Sequence, residues 1–286
     1  MFTTLAALPA PVALAVAPVV AVVVVLACRR LCGERGLRFA GPCAVAGAFV
    51  LADALTSGMQ HWLPTRNWQW TLHVAVLAAV LGPIAAAPGL TRSERWLLYA
   101  TGAVIAACLL VPRWAKPEQA AWWIPLAAGG IFLLAALQEP LSGRVSGVAL
   151  TGAWAISALC LAGLIAVEFS LSWAQVAGLV GLALTGAAFG LGFAPAESAT
   201  RALVATQALV VGGWAFISCV EPSRPAYVLL APPALPLLLW LLGLGPLGRL
   251  GARGQTIVGL LLVGLAAAGY AAWAVIRSGI LEAAPL

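Results

Sequence analysis

The sequence predicts an all-α fold, a polytopic bundle of about ten transmembrane helices (eight to ten), and three observations predict it. Hydrophobic residues make up 63% of the 286. Charged residues make up 8%, against about 25% in soluble domains, too few to cover the surface of a water-soluble fold. Those charges also fall almost entirely between roughly ten apolar stretches, each near the length that crosses a bilayer. Residues 1–286 read as one integral membrane domain, with 1–138 and 145–286 as candidate halves.

The apolar stretches follow in order. The first, 11–28, has no positive charge before it and is followed by Arg29, Arg30, Arg35 and Arg38. A secretory signal has the opposite asymmetry, so a retained helix is expected. The next are 39–56, 71–87, 96–111 and 121–137, then 145–167, 174–193, 202–220, 227–244 and 256–276. Several lie near the lower limit for spanning. Because five is odd, a five-plus-five arrangement would invert the second half, as in many secondary transporters.

Alternate loops carry unequal charge. One set holds Arg29, Arg30, Arg35, Arg38, Arg92, Arg95, Arg144, Arg201, Arg249 and Arg253; the other holds Arg66, Arg113, Lys116, Arg224 and Arg277. Basic residues favour the cytoplasmic side, so both termini are expected outside the cytoplasm, in a bacterial inner membrane. Trp62, Trp68, Trp70, Trp114, Trp122, Trp123, Trp173 and Trp273 fall at the outer ends, where indole rings sit at the headgroup level. They form an aromatic belt or the wall of a ligand vestibule.

The net charge of +6 comes from arginines placed singly or in pairs at segment ends, with one lysine. That pattern sets topology and offers no basic face to nucleic acid. The expected partners are the lipid bilayer and other membrane proteins or further copies of the chain. Cys28, Cys32, Cys43, Cys108, Cys160 and Cys219 are scattered and have no histidine near them in sequence, so they read as small apolar fillers with no metal site. No cofactor motif is present: no His-Glu-x-x-His, no Gly-x-Ser-x-Gly and no phosphate-binding loop.

Two features interrupt the apolar pattern. Pro232, Pro233 and Pro236 must kink or break the ninth helix, since each removes a backbone donor. Such a break is tolerated in lipid only where protein or water satisfies the freed carbonyls. Gln207, inside the eighth helix, is placed to bond across to a neighbour or to line a midplane site near Thr185. Gly186 and Gly190 form a GxxxG face on which another backbone can approach closely.

The polar residues with chemistry crowd one hairpin. Asp53 lies within a span, where a carboxylate must be paired, wetted or protonated. His61, Arg66 and Asn67 follow it, and His73 begins the next helix. Glu168 ends the sixth span on the same side. A carboxylate, titratable imidazoles and amides suit a proton relay or a polar ligand site.

The stretch His61-Trp62-Leu63-Pro64 through Trp70-Thr71-Leu72-His73, running into an Ala-rich helix that ends Leu81-Gly82-Pro83, resembles a recurring opening segment of uncharacterised bacterial multi-pass proteins. That resemblance covers this hairpin and implies no activity. In length and span number the chain is similar to the drug/metabolite transporter superfamily, a likeness of architecture in which outside termini would be unusual. The expectation is a small-molecule or ion-coupled transporter or a transport-related component. The alternatives are an enzyme acting at the outer face on a lipid-linked or periplasmic substrate, with Asp53 as base, and a structural subunit of a larger complex.

Overall fold

The computed structural model describes residues 10–57, 64–65, 67–111, 117–192, 197–221, 226–244, 247–248 and 250–278. Among them there is no strand, and helix accounts for nearly all of the chain. Helix α1 is Ala10–Ser57, α2 Thr71–Ala85, α3 Arg92–Leu110, α4 Pro117–Gln138, α5 Gly147–Glu168 and α6 Leu171–Leu191. Helix α7, Glu197–Thr206, runs through a π-helical turn, Gln207–Gly212, into α8, Gly213–Val220. Two 3₁₀ segments, Tyr227–Leu230 and Pro232–Gly243, precede α9, Ala252–Arg277.

Ten helical segments result among the described residues, because α1 supplies two. The charged stretch 29–38, expected as a loop, stays helical and turns at Gly33, whose φ of 59° and ψ of −153° only glycine adopts at low cost. Seven passes are long and apolar enough to cross a membrane: Leu14–Gly33, Trp68–Ala85, Ala120–Gly143, Gly147–Glu168, Leu171–Leu191, Glu197–Val220 and Ala252–Arg277. Gly36–Ala52 and Tyr227–Gly243 are apolar but shorter. Length and composition together suggest a multi-pass membrane protein.

Local chemistry sets several boundaries. Thr91 caps α3 in a reciprocal box with Glu94. These bonds from Thr91, backbone first, hold the Glu94 carboxyl below its ordinary range. Ser146 accepts from Ala149 N to start α5, and Gly192, at φ 62°, ends α6.

Small residues set the packing. A Cβ at Gly186 would sit on the Pro18 carbonyl oxygen, and one at Gly190 would lie 2.8 Å from Val25 Cβ. The GxxxG face is therefore where the first pass meets α6. On the other side, Gly41 packs on Leu203 and Gly82 on the Ala202 carbonyl, closing α1 and α2 on α7. The core they enclose is mostly alanine, leucine and valine with two buried indoles, Trp154 and Trp214. α5 lies against α6, α9 and the Pro232–Gly243 segment, and α1 lies against α6, α2 and α7.

The loops sort into two ends. Arg95, the Glu139–Gly143 turn, Arg201 and the start of α9 meet at one, joined by Arg95–Glu139, Arg201–Glu139 and Ser146–Thr256 contacts. Trp68, Phe169, Trp173 and Trp214 meet at the other. Here these are called the arginine-rich and aromatic ends.

Candidate functional site

The broken helix explains most of the interior polar groups. In the 3₁₀ register these segments adopt, the Pro233 carbonyl would accept from residue 236, a proline with no N–H, while the carbonyls of Val228 and Pro232 face residues 231 and 235. Each of these three carbonyls is met by a side chain from another helix. Tyr270 of α9 donates its hydroxyl to Val228 O at 2.8 Å. Ser157 of α5 donates to Pro232 O at 2.7 Å. Gln138, at the end of α4, donates Nε2 to Pro233 O at 2.9 Å and accepts Trp154 Nε1 at 2.7 Å on its Oε1. In a core without water the orphaned Pro233 carbonyl would cost several kcal/mol, and the three bonds together stitch the break to α4, α5 and α9.

Gln207 is where the stitching runs out. It opens the π turn, is fully buried, and reaches Ser157 Oγ with Nε2 at a long 3.4 Å. Among the described residues its Oε1 is buried without a hydrogen-bond partner, as are the hydroxyls of Thr206 beside it and Thr151 on α5. π turns inside α-helices often mark functional sites, because the extra residue widens the helix and displaces its side chains.

Toward the arginine-rich end the polar interior continues into charge. The Glu139 side chain is 5% exposed, yet two guanidinium groups flank it. Arg95 Nε donates to its Oε1 at 2.9 Å while Nη1 holds Leu90 O. Arg201 Nε lies 3.6 Å from the same oxygen, and its Nη2 pairs with Glu197. Two cations around one carboxylate compensate its loss of water. The buried Tyr99 hydroxyl lies within electrostatic reach of Glu139, Arg201 and Arg95. Gln138 and Glu139 are adjacent in sequence, so the ion cluster and the stitched break form one polar column through an otherwise apolar bundle.

The aromatic end holds the hairpin favoured by the sequence. The His61 and Arg66 residues and the Asp53 side chain lie outside the described residues. Asn67 opens the short 3₁₀ turn before α2, and half-buried His73 has its ring 5.0 Å from that of Trp70. Glu168 is exposed as the last residue of α5. Trp173 stands between Phe169 at 4.7 Å, Trp214 at 5.1 Å and Trp68 at 6.2 Å, measured between ring centroids. Of the predicted break positions, Gln207 and Pro232 meet at Ser157, Pro233 is held by Gln138, and Pro236 is buried in the same segment. Thr185 stands apart and spends its hydroxyl on Gly181 O.

Sequence reasoning missed Gln138, Glu139, Arg95 and Arg201 as a unit. Glu139-Pro140-Leu141-Ser142-Gly143 has the composition of an exposed turn. The available signal was that Arg95, Glu139 and Arg201 all belong to loops on one side of the alternation.

Compared with known proteins, the chain matches no family model, and neither the curated proteins nor the solved structures yield a relative.

Proposed function

We propose that the protein is a small-molecule or ion-coupled transporter of a bacterial inner membrane, with both termini outside the cytoplasm. Its pathway runs beside the broken helix, between α5 and the π turn. The observation that carries this reading is the buried, unpartnered Oε1 of Gln207 at the end of a polar column. The bonds at Val228, Pro232 and Pro233 are closed; at Gln207 an acceptor and the neighbouring Thr206 hydroxyl remain, among the described residues, for a polar solute or a hydrated ion. In this reading the Arg95–Glu139–Arg201 cluster is the closed gate at the cytoplasmic end, separating when that side opens. An apolar groove of about 330 Å³ between α4, α8 and the broken helix reaches Gly212 and Pro233, offering a lateral approach for amphiphilic solutes.

The test uses purified protein in proteoliposomes loaded with a pH-sensitive dye. A proton gradient is imposed, and amino acids, sugars, nucleosides and organic cations are added in turn. The expected result is a solute-dependent dye response from one class, lost in Gln207→Leu. Absence of any response from the unaltered protein, with every class and with either gradient direction, would overturn the reading.

A further inference from the structure

A second cavity, separate in its lining from the groove at the break, opens on the outside of the bundle. It is a groove of about 530 Å³ over α5, walled by α6 and α9, with Gly152 and Ala155 on its floor and Phe189 and Ile257 on its sides. The two hydroxyls on its wall are already committed: Thr185 bonds Gly181 O, and Thr256 bonds Ala252 O and Ser146. The groove therefore offers a hydrocarbon surface and no polar recognition along its length. From Val148 to Leu159 it follows α5 for about 16 Å at the α-helical rise, half the roughly 30 Å hydrocarbon thickness of a bilayer. Its depth is that of one leaflet.

Its mouth is charged. Arg253 lines the groove at the arginine-rich end, is exposed, and makes no ion pair among the described residues. Among the described residues no acidic one lines the groove. Arg253 sits in the first turn of α9, whose N-cap Gly251 supplies no side-chain acceptor, so the helix dipole adds to its positive field.

We propose that this groove is a binding site for an acidic phospholipid of the leaflet at the arginine-rich end, with one acyl chain along α5 and the headgroup phosphate on Arg253. A zwitterionic lipid offers the same chain and phosphate but brings its own cation beside Arg253, so a net negative headgroup is preferred. The proposal rests on the multi-pass reading and is independent of any transported solute.

Protein in nanodiscs of equal dioleoyl phosphatidylglycerol and dioleoyl phosphatidylcholine is released and weighed by native mass spectrometry. The expected result is retention of phosphatidylglycerol over phosphatidylcholine by about fivefold, the worth of one interfacial arginine. Arg253→Gln abolishes the preference. Ala188→Leu, or Ile257→Trp should the first not fold, narrows the groove and lowers retention of both lipids. Equal retention by the unaltered protein, or a preference that survives Arg253→Gln, would overturn the proposal. So would a lipid-free dimer, which would assign the groove to a second copy of the chain.

Discussion

The Ser157 hydroxyl donates a 2.7 Å hydrogen bond to the carbonyl oxygen of Pro232, 75 residues away. In the 3₁₀ register of that segment the carbonyl also faces the N–H of residue 235, so the serine adds a second bond that ties α5 to the break. Removing it cuts that tie and takes the partner that Gln207 reaches among the described residues.

Ser157→Ala is therefore expected to cost about 1 kcal/mol, the net worth of a buried hydrogen bond. Thr185→Val is the control, because its hydroxyl bonds within its own helix, and it should cost under about 0.5 kcal/mol. Thermal unfolding in detergent measures both. Equal midpoints would mean that the Ser157 bond adds nothing to the backbone bonding of the break.

Glu139→Gln is expected to lose about 2 kcal/mol of stability. Breaking a fully buried pair costs more, but the arginines here are 16% and 24% exposed, and water partly solvates what is left. Glu197→Gln removes a carboxylate that is 55% exposed and should change the unfolding midpoint little.

At Gly186 a methyl group would strike the backbone at Pro18, whereas at Gly178 the nearest atom to it is Leu14 Cδ2 at 3.8 Å. Gly186→Ala should therefore destabilise by up to about 3 kcal/mol by prising the first pass from α6. Gly178→Ala should be neutral or mildly stabilising through helix propensity. The same unfolding assay ranks them, and the reverse order would contradict this packing.

Gly33→Ala meets no atom within 4 Å, so any loss comes from the backbone alone. At φ 59° and ψ −153° the strain is about 1–3 kcal/mol. A circular-dichroism melt unchanged by the substitution would mean that the α1 turn does not need this conformation.

The helical passes were legible because apolar length is a local property. Nine of the ten predicted segments coincide with α-helical passes, and the ninth, at 227–244, was readable as broken from its prolines. Which polar residues serve that break was not legible. The helices are apolar nearly all round, so no stripe of the kind that orients a surface helix shows that Ser157 faces Pro232. Gln207 stood out because an amide is rare inside such a segment. Glu139 did not, because proline and glycine beside it imitate a solvent-exposed turn; its burial depends on Arg95 and Arg201, 44 and 62 residues away in sequence. Asp53 drew attention through the cost of a membrane carboxylate, an argument about depth that does not name a partner.

The central claim is that the column at Gln207 opens to water during function, and cysteine accessibility tests it most directly. Cys28, Cys32, Cys43, Cys108, Cys160 and Cys219 are replaced by serine or alanine, and Gln207→Cys is introduced. Its reaction with a small cationic methanethiosulfonate is followed in vesicles, with Ala183→Cys, in the sealed core, as reference. The account predicts that Gln207→Cys reacts, and reacts faster when Glu139→Gln loosens the cluster at the arginine-rich end. A cysteine at 207 as inert as the one at 183, with and without Glu139→Gln, would contradict it and leave the column as structural stitching alone.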